Sequence, residues 1–314
     1  MTSYSDLLSH IAPVFVVVLS GFALRRLGKL HAAADSSLLT IAVNFLYPCL
    51  IADTVLGNSA LNDPSNLLLS PIAGAALLAS SFAVAAIAAR ALRIQRPQPA
   101  STFTFTAAMP NWGYLPIPIV GALFGERTTG VLFVHNIGFE LCMWSLGVWV
   151  LSGEGGWRRA MNVPFFAILS ALLLNLVHAA EWLPAFATHS LHFLGQAAIP
   201  LSLLLTGAML ADSVREGGLL REWPRTLAGC AVKMLILPPL ILLAARWLPC
   251  STELKRVLVV QAAMPCAMVP VVMSRLYKAD AGTAVRIVVA STMLGLLTIP
   301  LWLKLGLSFA GVGE

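Results

Sequence analysis

Ten apolar runs, each about as long as a bilayer is thick, follow one another along the sequence. They lie at 7–25, 36–57, 68–91, 100–125, 128–151, 163–183, 189–212, 224–248, 253–277 and 281–308. A helix needs roughly 20 apolar residues to cross the hydrocarbon core. Only helices and closed barrels satisfy their backbone groups in lipid, and these runs are far too long for barrel strands. The expected fold class is therefore an all-α polytopic membrane protein of ten transmembrane helices. Composition agrees: 58% of the 314 residues are hydrophobic and only 11% are charged, against about 25% charged in soluble domains. A soluble globular enzyme is excluded.

The formal net charge of +6 does not point to a nucleic-acid partner. In a membrane chain basic residues report orientation. Alternate connections carry Arg25, Arg26 and Lys29; Arg90, Arg93 and Arg96; Arg158 and Arg159; Arg215, Arg221 and Arg225; then Arg275, Lys278 and Arg286, 14 in all. The other side holds 5: Arg127, Arg246, Lys255, Arg256 and Lys304. The positive-inside rule places the richer side in the cytoplasm and both termini outside, in a multi-pass protein of the cell (inner or plasma) membrane. No Lys or Arg precedes the first apolar run, which argues against a cleaved signal peptide. The five cysteines show no CxxC or Cys/His spacing, so no metal site or disulfide framework is expected.

The two halves resemble each other. AlaAlaMetPro occurs at 107–110 and at 262–265, AlaAlaArg at 88–90 and at 244–246, and Asn44 with Pro48 corresponds to Gln196 with Pro200. Pro13 through Ser20 resembles Pro164 through Ser170, and the four offsets all fall between 151 and 156. Residues 1–152 and 163–314 then form two five-helix repeats. An odd number of crossings inverts the second repeat, as in many secondary transporters.

The fourth run contains Pro110, Asn111, Pro116 and Pro118, and the ninth contains Pro265, Cys266 and Pro270. Prolines so close together cannot continue a regular helix. The first break begins about ten residues into its run, roughly 15 Å deep in a core about 30 Å thick. Unwound backbone there must be buried in protein or line a polar cavity. Pro118 and Pro270 suit the first position of the second half-helices, whose N-termini favour an anion, while the opposing C-termini favour a cation. Asn111 either contacts substrate or caps the broken helix. Tyr114 and Trp112 form an aromatic wall or simply pack. Gln261, one turn before Pro265, donates to substrate or to a neighbouring helix.

Glu140 and Lys233 lie near the middle of their runs. Charges at that depth normally face a partner or a cavity. Either the two pair within the bundle, or one titrates or meets an anionic substrate. Asn136 shares a helix face with Glu140; His135 lies about 140° around from it, so the two form no metal pair. Asn44 and Gln196 join helices or border the substrate path. Asp53, His178, His189 and His192 near the outer face show no ligand spacing.

At these residues the chain resembles the auxin efflux carrier family, which includes plant auxin exporters and bacterial permeases, some assigned to malonate. Pro110-Asn111-x6-Pro118, with Gly125 closing the run, looks like the family's first crossover. ValGlnAlaAlaMetPro265-x4-Pro270, followed by Tyr277, looks like the second. Lys233, five residues before Pro238, and Asn44-x3-Pro48 match further positions. The resemblance covers essentially the whole chain. It implies a scaffold of helices 1, 2, 6 and 7, a transport bundle of helices 3–5 and 8–10, a small organic-anion substrate (a mono- or dicarboxylate) and homodimers. The short connection at 152–162 resembles the bacterial type, and Cys266 stands where an amide is expected in the second crossover.

The expected function is secondary transport of a small organic anion by alternating access, with no cofactor and either H+ or Na+ as coupling ion. A sodium-coupled symporter of the bile-acid-symporter-like fold is the nearer alternative. A receptor without transport is the other, although no soluble sensing domain is present. A membrane enzyme would need a nucleophile or metal constellation, and no GxSxG or HExxH occurs.

Overall fold

The computed structural model describes residues 4–94, 98–153, 155–216 and 222–313. Arg96 and Arg221, two of the basic residues that set the expected orientation, lie outside the described residues. All regular elements of the described chain are helices, without a strand. Its main helices are α1 (Tyr4–Arg26), α2 (Ala32–Val55), α3 (Pro64–Ala91), α4 (Gln98–Ala108), α5 (Pro116–Ser152) and α6 (Val163–Leu176). They continue with α7 (Ala185–Glu216), α8 (Trp223–Trp247), α9 (Thr252–Ala263), α10 (Val269–Leu276) and α11 (Ala281–Ala310).

Seven of these are long and apolar enough to cross a bilayer unaided. The fourth, sixth and ninth expected runs do not appear as continuous crossing helices. Prolines divide the fourth into α4 and the start of α5, and the ninth into α9 and α10. The sixth stops after 14 residues at Leu176, about 21 Å of rise, where the backbone turns left-handed at His178 (φ 53°). The fourth and fifth runs are joined in α5 through a kink at Gly125, whose φ of 73° suits a residue without Cβ.

Local chemistry sets the boundaries. Pro64 opens α3 behind Asp63, whose side chain accepts from the Ser65 amide. Asn162, Ser251 and Asp280 cap α6, α9 and α11 in the same way, each 3.0 Å from its amide. Wide π-type turns occur at Ala42–Leu46 and Val232–Ile236, just before Pro48 and Pro238. A proline leaves the carbonyl four residues back without its helical partner. For Pro238 that carbonyl belongs to Met234, and the Trp302 indole takes it up at 2.9 Å.

Helices meet where side chains are absent. A Cβ on Gly207 would sit 1.8 Å from the Val18 carbonyl oxygen, and one on Gly138 would sit 1.7 Å from that of Pro71. Small residues allow such close approach in membrane bundles. Thus α1 lies along α7, and α3 along α5. In turn α2 packs on α6 and α7, while α11 packs on α4, α8, α9 and α10.

Polar contacts tie the helix ends into two sets. In one, Arg25 reaches Asp35 at 2.5 Å and Asp212 at 3.5 Å, Arg286 meets Glu222 at 2.8 Å, and Arg159 bonds the Tyr277 hydroxyl. In the other, Arg127 meets Glu253 at 3.2 Å, Ser251 bonds Asn66, and His192 meets Asp53 at 3.0 Å.

Candidate functional site

The two helix breaks cross. Residues 109–115 separate α4 from α5, and residues 264–268 separate α9 from α10. Pro110 and Pro265 carry no N–H, and the neighbouring backbone groups have lost their helical partners. Each break supplies the other. The Asn111 amide donates to the Pro265 carbonyl at 2.8 Å, and the Ala267 amide donates to the Met109 carbonyl at 3.1 Å. Pro110 and Cys266 stand opposite each other in this short antiparallel bridge. The second half-helices start slightly earlier than expected: Pro116, not Pro118, opens α5, and Val269 precedes Pro270 in α10. Any first-turn position tolerates proline, because its N–H would be unpaired there anyway.

A cavity of about 150 Å³ lies against the crossing. Asn111, Trp112 and Tyr114 line it from the first break, and Ala267, Met268 and Val269 from the second. Asn136 and Glu140 reach it from α5, Tyr47 and Ile51 from α2, and Phe165 and Ile168 from α6. The Tyr47 and Tyr114 rings meet with centroids 6.2 Å apart, and Trp112 stacks on Phe139 at 5.0 Å.

Glu140 is half-buried and accepts a 2.7 Å hydrogen bond from the Asn162 amide. The indoles of Trp112 and Trp144 flank its carboxylate. Asn136 and Gln261 both donate to the Trp112 carbonyl, at 3.1 and 3.5 Å. Their side-chain oxygens are buried without a partner. The Asn111 side-chain oxygen accepts a long 3.4 Å bond from the amide of Leu115, the residue just before α5, while its own N–H ties the breaks together.

Lys233 is 0% exposed and its ammonium has no hydrogen-bond partner among the described residues. It sits in the π-type turn of α8 near Cys266, and does not line the cavity. The expected alternative of a Glu140–Lys233 pair is not realised: Glu140 bonds Asn162 instead.

Comparison with known proteins decides the family. A family model described as "Membrane transport protein" matches residues 6–156 and 145–303. The chain belongs to this membrane transport protein family, that of the auxin efflux carriers. It is 30% identical over 305 residues to an uncharacterized transporter of Methanothermobacter thermautotrophicus, covering 93% of this chain and 96% of that one. It is 24% identical over 200 residues to an uncharacterized transporter of Methanocaldococcus jannaschii, covering 61% and 64% of the two chains. The chain is thus a multi-pass membrane protein of a transporter family.

In this transporter, Asn111, Trp112, Tyr114, Asn136 and Glu140 are the sequence candidates that line the cavity. Pro110, Pro265 and Cys266 build the crossing, and the Cys266 amide is held by Ser291 at 3.2 Å. Pro118 and Pro270 lie in the first turns of their half-helices. His135 is buried against α3, with Nδ1 3.2 Å from the Ser70 carbonyl. Asn44 and Gln196 are exposed on α2 and α7 and do not line the cavity at the crossing. Sequence reading missed Tyr47 and Asn162. It also missed that Asp53, Glu126 and His192 bring ligand-capable atoms within 4.8 Å of one another. These residues are 66 or more positions apart in sequence, so only the tertiary fold brings them together.

Proposed function

We propose that this transporter moves a small organic anion, a mono- or dicarboxylate, by alternating access at the crossed breaks. The observation that carries the reading is the reciprocally bonded crossing with a cavity against it. At the crossing α4 and α9 end and α5 and α10 begin, so helix termini of both signs converge beside the cavity. The N-terminal ends favour the substrate carboxylate. Asn111, Asn136 and Gln261 supply amides, whose NH2 groups can turn from the Trp112 carbonyl toward a bound carboxylate. Lys233 sets a positive charge behind the crossing.

Residues 1–152 and 163–314 act as two inverted five-segment repeats. The packing of α1 on α7, and of α2 on α6 and α7, supports a scaffold of the first, second, sixth and seventh segments. The packing of α3 with α4 and α5, and of α11 with α4 and α8–α10, supports a moving bundle. The two sets of tied helix ends support alternate crossings, and the excess of basic residues on one set supports a cytoplasmic position for it, with both termini outside. The experiment is a thermal-shift screen of purified protein against mono- and dicarboxylates and indoles, followed by flux of the strongest ligand in proteoliposomes. If no organic anion stabilises the protein or crosses with it, the substrate class is wrong.

A further inference from the structure

Among the described residues, Glu140 is the only one lining the cavity that carries a full charge; no described Lys, Arg or His lines it. The described groups that face the carboxylate are neutral. Trp112 and Tyr114 face it from the first break, Tyr47 lines the same cavity from α2, Trp144 stands one turn along α5, and Asn162 reaches it from the segment leading into α6. The nearby cations are elsewhere. Lys233 lies behind the crossing, and Arg159 in the connecting segment is on Tyr277. Arg158 precedes Asn162 in the same segment and does not line the cavity. His135, on α5 itself, faces the Ser70 carbonyl.

An organic anion in this cavity would stand against an uncompensated carboxylate in apolar surroundings, where like charges repel far more than in water. The conflict disappears when the carboxylate holds a proton. Resting on the organic-anion reading above, we propose that Glu140 is the coupling site of a proton symport, binding one proton with each anion. On the loading side the Glu140 carboxylate takes up H+ to become a carboxyl, the anion enters, and the new O–H donates to a substrate oxygen. On the release side the anion leaves and the O–H bond breaks, returning H+ to water. For a monoanion the cycle moves no net charge. Asn162 serves both states, since its NH2 can donate to a carboxylate or, more weakly, to a carboxyl carbonyl. Its other end caps α6, which holds the donor in place.

The full chain in sodium-free liposomes is titrated with benzoate, malonate and indole-3-acetate from about pH 6.5 to about pH 9, where carboxylate probes are essentially ionised. Tryptophan fluorescence reports binding. The expected result is an affinity that falls about tenfold per pH unit on the alkaline limb, the slope of one linked proton. In Glu140→Gln that dependence is flat, and an imposed proton gradient no longer drives accumulation. Glu140→Asp keeps the slope and stands in if the Gln variant does not fold. A flat wild-type profile, a slope that survives in Glu140→Gln, or dependence on Na+ in place of H+ overturns the proposal while leaving the anion reading intact. Infrared titration reads the site without any ligand. A carboxyl band that titrates in wild type and is missing in Glu140→Gln, with no probe bound at any pH, upholds the proton site and sinks the organic-anion reading. Absence of that band overturns the site.

Discussion

Replacing Lys233 with Met removes an ammonium that is 0% exposed and unpartnered. It keeps an unbranched flexible side chain of similar length. A charge at the bilayer centre costs about 2.5–3.5 kcal/mol on insertion scales. No hydrogen bond from the described residues offsets that cost, so most of it should be recovered in the variant. At about 2–4 °C per kcal/mol for chains of this general size, Lys233→Met should melt roughly 5–10 °C higher. The buried free thiols of Cys49, Cys142, Cys230 and Cys266 suit a thiol-reactive fluorescent dye in detergent, because they react only after unfolding. Anion transport should fall in the same variant, since the positive charge behind the crossing is gone. A chain that is more stable and less active marks a charge kept for function at a cost in stability. A melting point several degrees lower would refute the reasoning, because it would mean that the ammonium is compensated. A higher melting point with unchanged transport would remove Lys233 from the mechanism.

Gly207→Ala should cost about 1–3 kcal/mol, read as a lower melting temperature, because its Cβ would lie 1.8 Å from the Val18 carbonyl oxygen and must part α1 from α7. Asn58→Ala should cost a similar amount by the same measurement. Its side chain donates to the Thr54 carbonyl at 2.9 Å and the Glu126 carbonyl at 3.0 Å, and accepts from the Ala60 amide at 3.0 Å, so its loss leaves buried groups without partners. Arg127→Ala should change stability by less than about 1 kcal/mol, as its pair with Glu253 is mostly solvent-exposed on the Arg side; a large loss would show that the pair holds the two helices together.

The helical segments and the two breaks were legible because their causes are local. Apolar length sets a crossing, and a proline without an N–H ends one. The cap at Asn162, two residues before Pro164, was equally readable in principle. That the same side chain also reaches Glu140, 22 residues back, depends on how α5 and α6 leave their connection. Tyr47 lies among apolar residues with nothing local to mark it, and it becomes a cavity residue only because the first break brings Tyr114 against it. Sequence alone left open whether Glu140 and Lys233 pair or act separately, for a related reason. Hydropathy gives depth in the membrane, but not which side of the crossing a helix presents its charge to. His192 and Asp53 show the limit again, since 139 residues separate two side chains that meet at 3.0 Å.

The crossing has a mechanical consequence for the proposed cycle. Two backbone hydrogen bonds join the breaks, so α4, α9 and the starts of α5 and α10 cannot slide past one another without losing bonds that have no water to replace them at that depth. The opposite wall of the cavity belongs to α2 and α6, through Tyr47, Ile51, Phe165 and Ile168. Between those walls the aromatic contact of Tyr47 with Tyr114 is apolar and non-directional, with the rings tilted by 54°. Such a contact can be broken and remade at little cost compared with a backbone bond. Relative motion is therefore expected between the α2/α6 wall and the crossing as a unit, not within the crossing. Glu140 rides on α5 with the crossing, while its hydrogen-bond donor Asn162 caps α6 on the other wall. Any such motion stretches the Asn162–Glu140 bond, so the environment of the carboxylate changes with the state of the carrier, as a proton-coupling site requires.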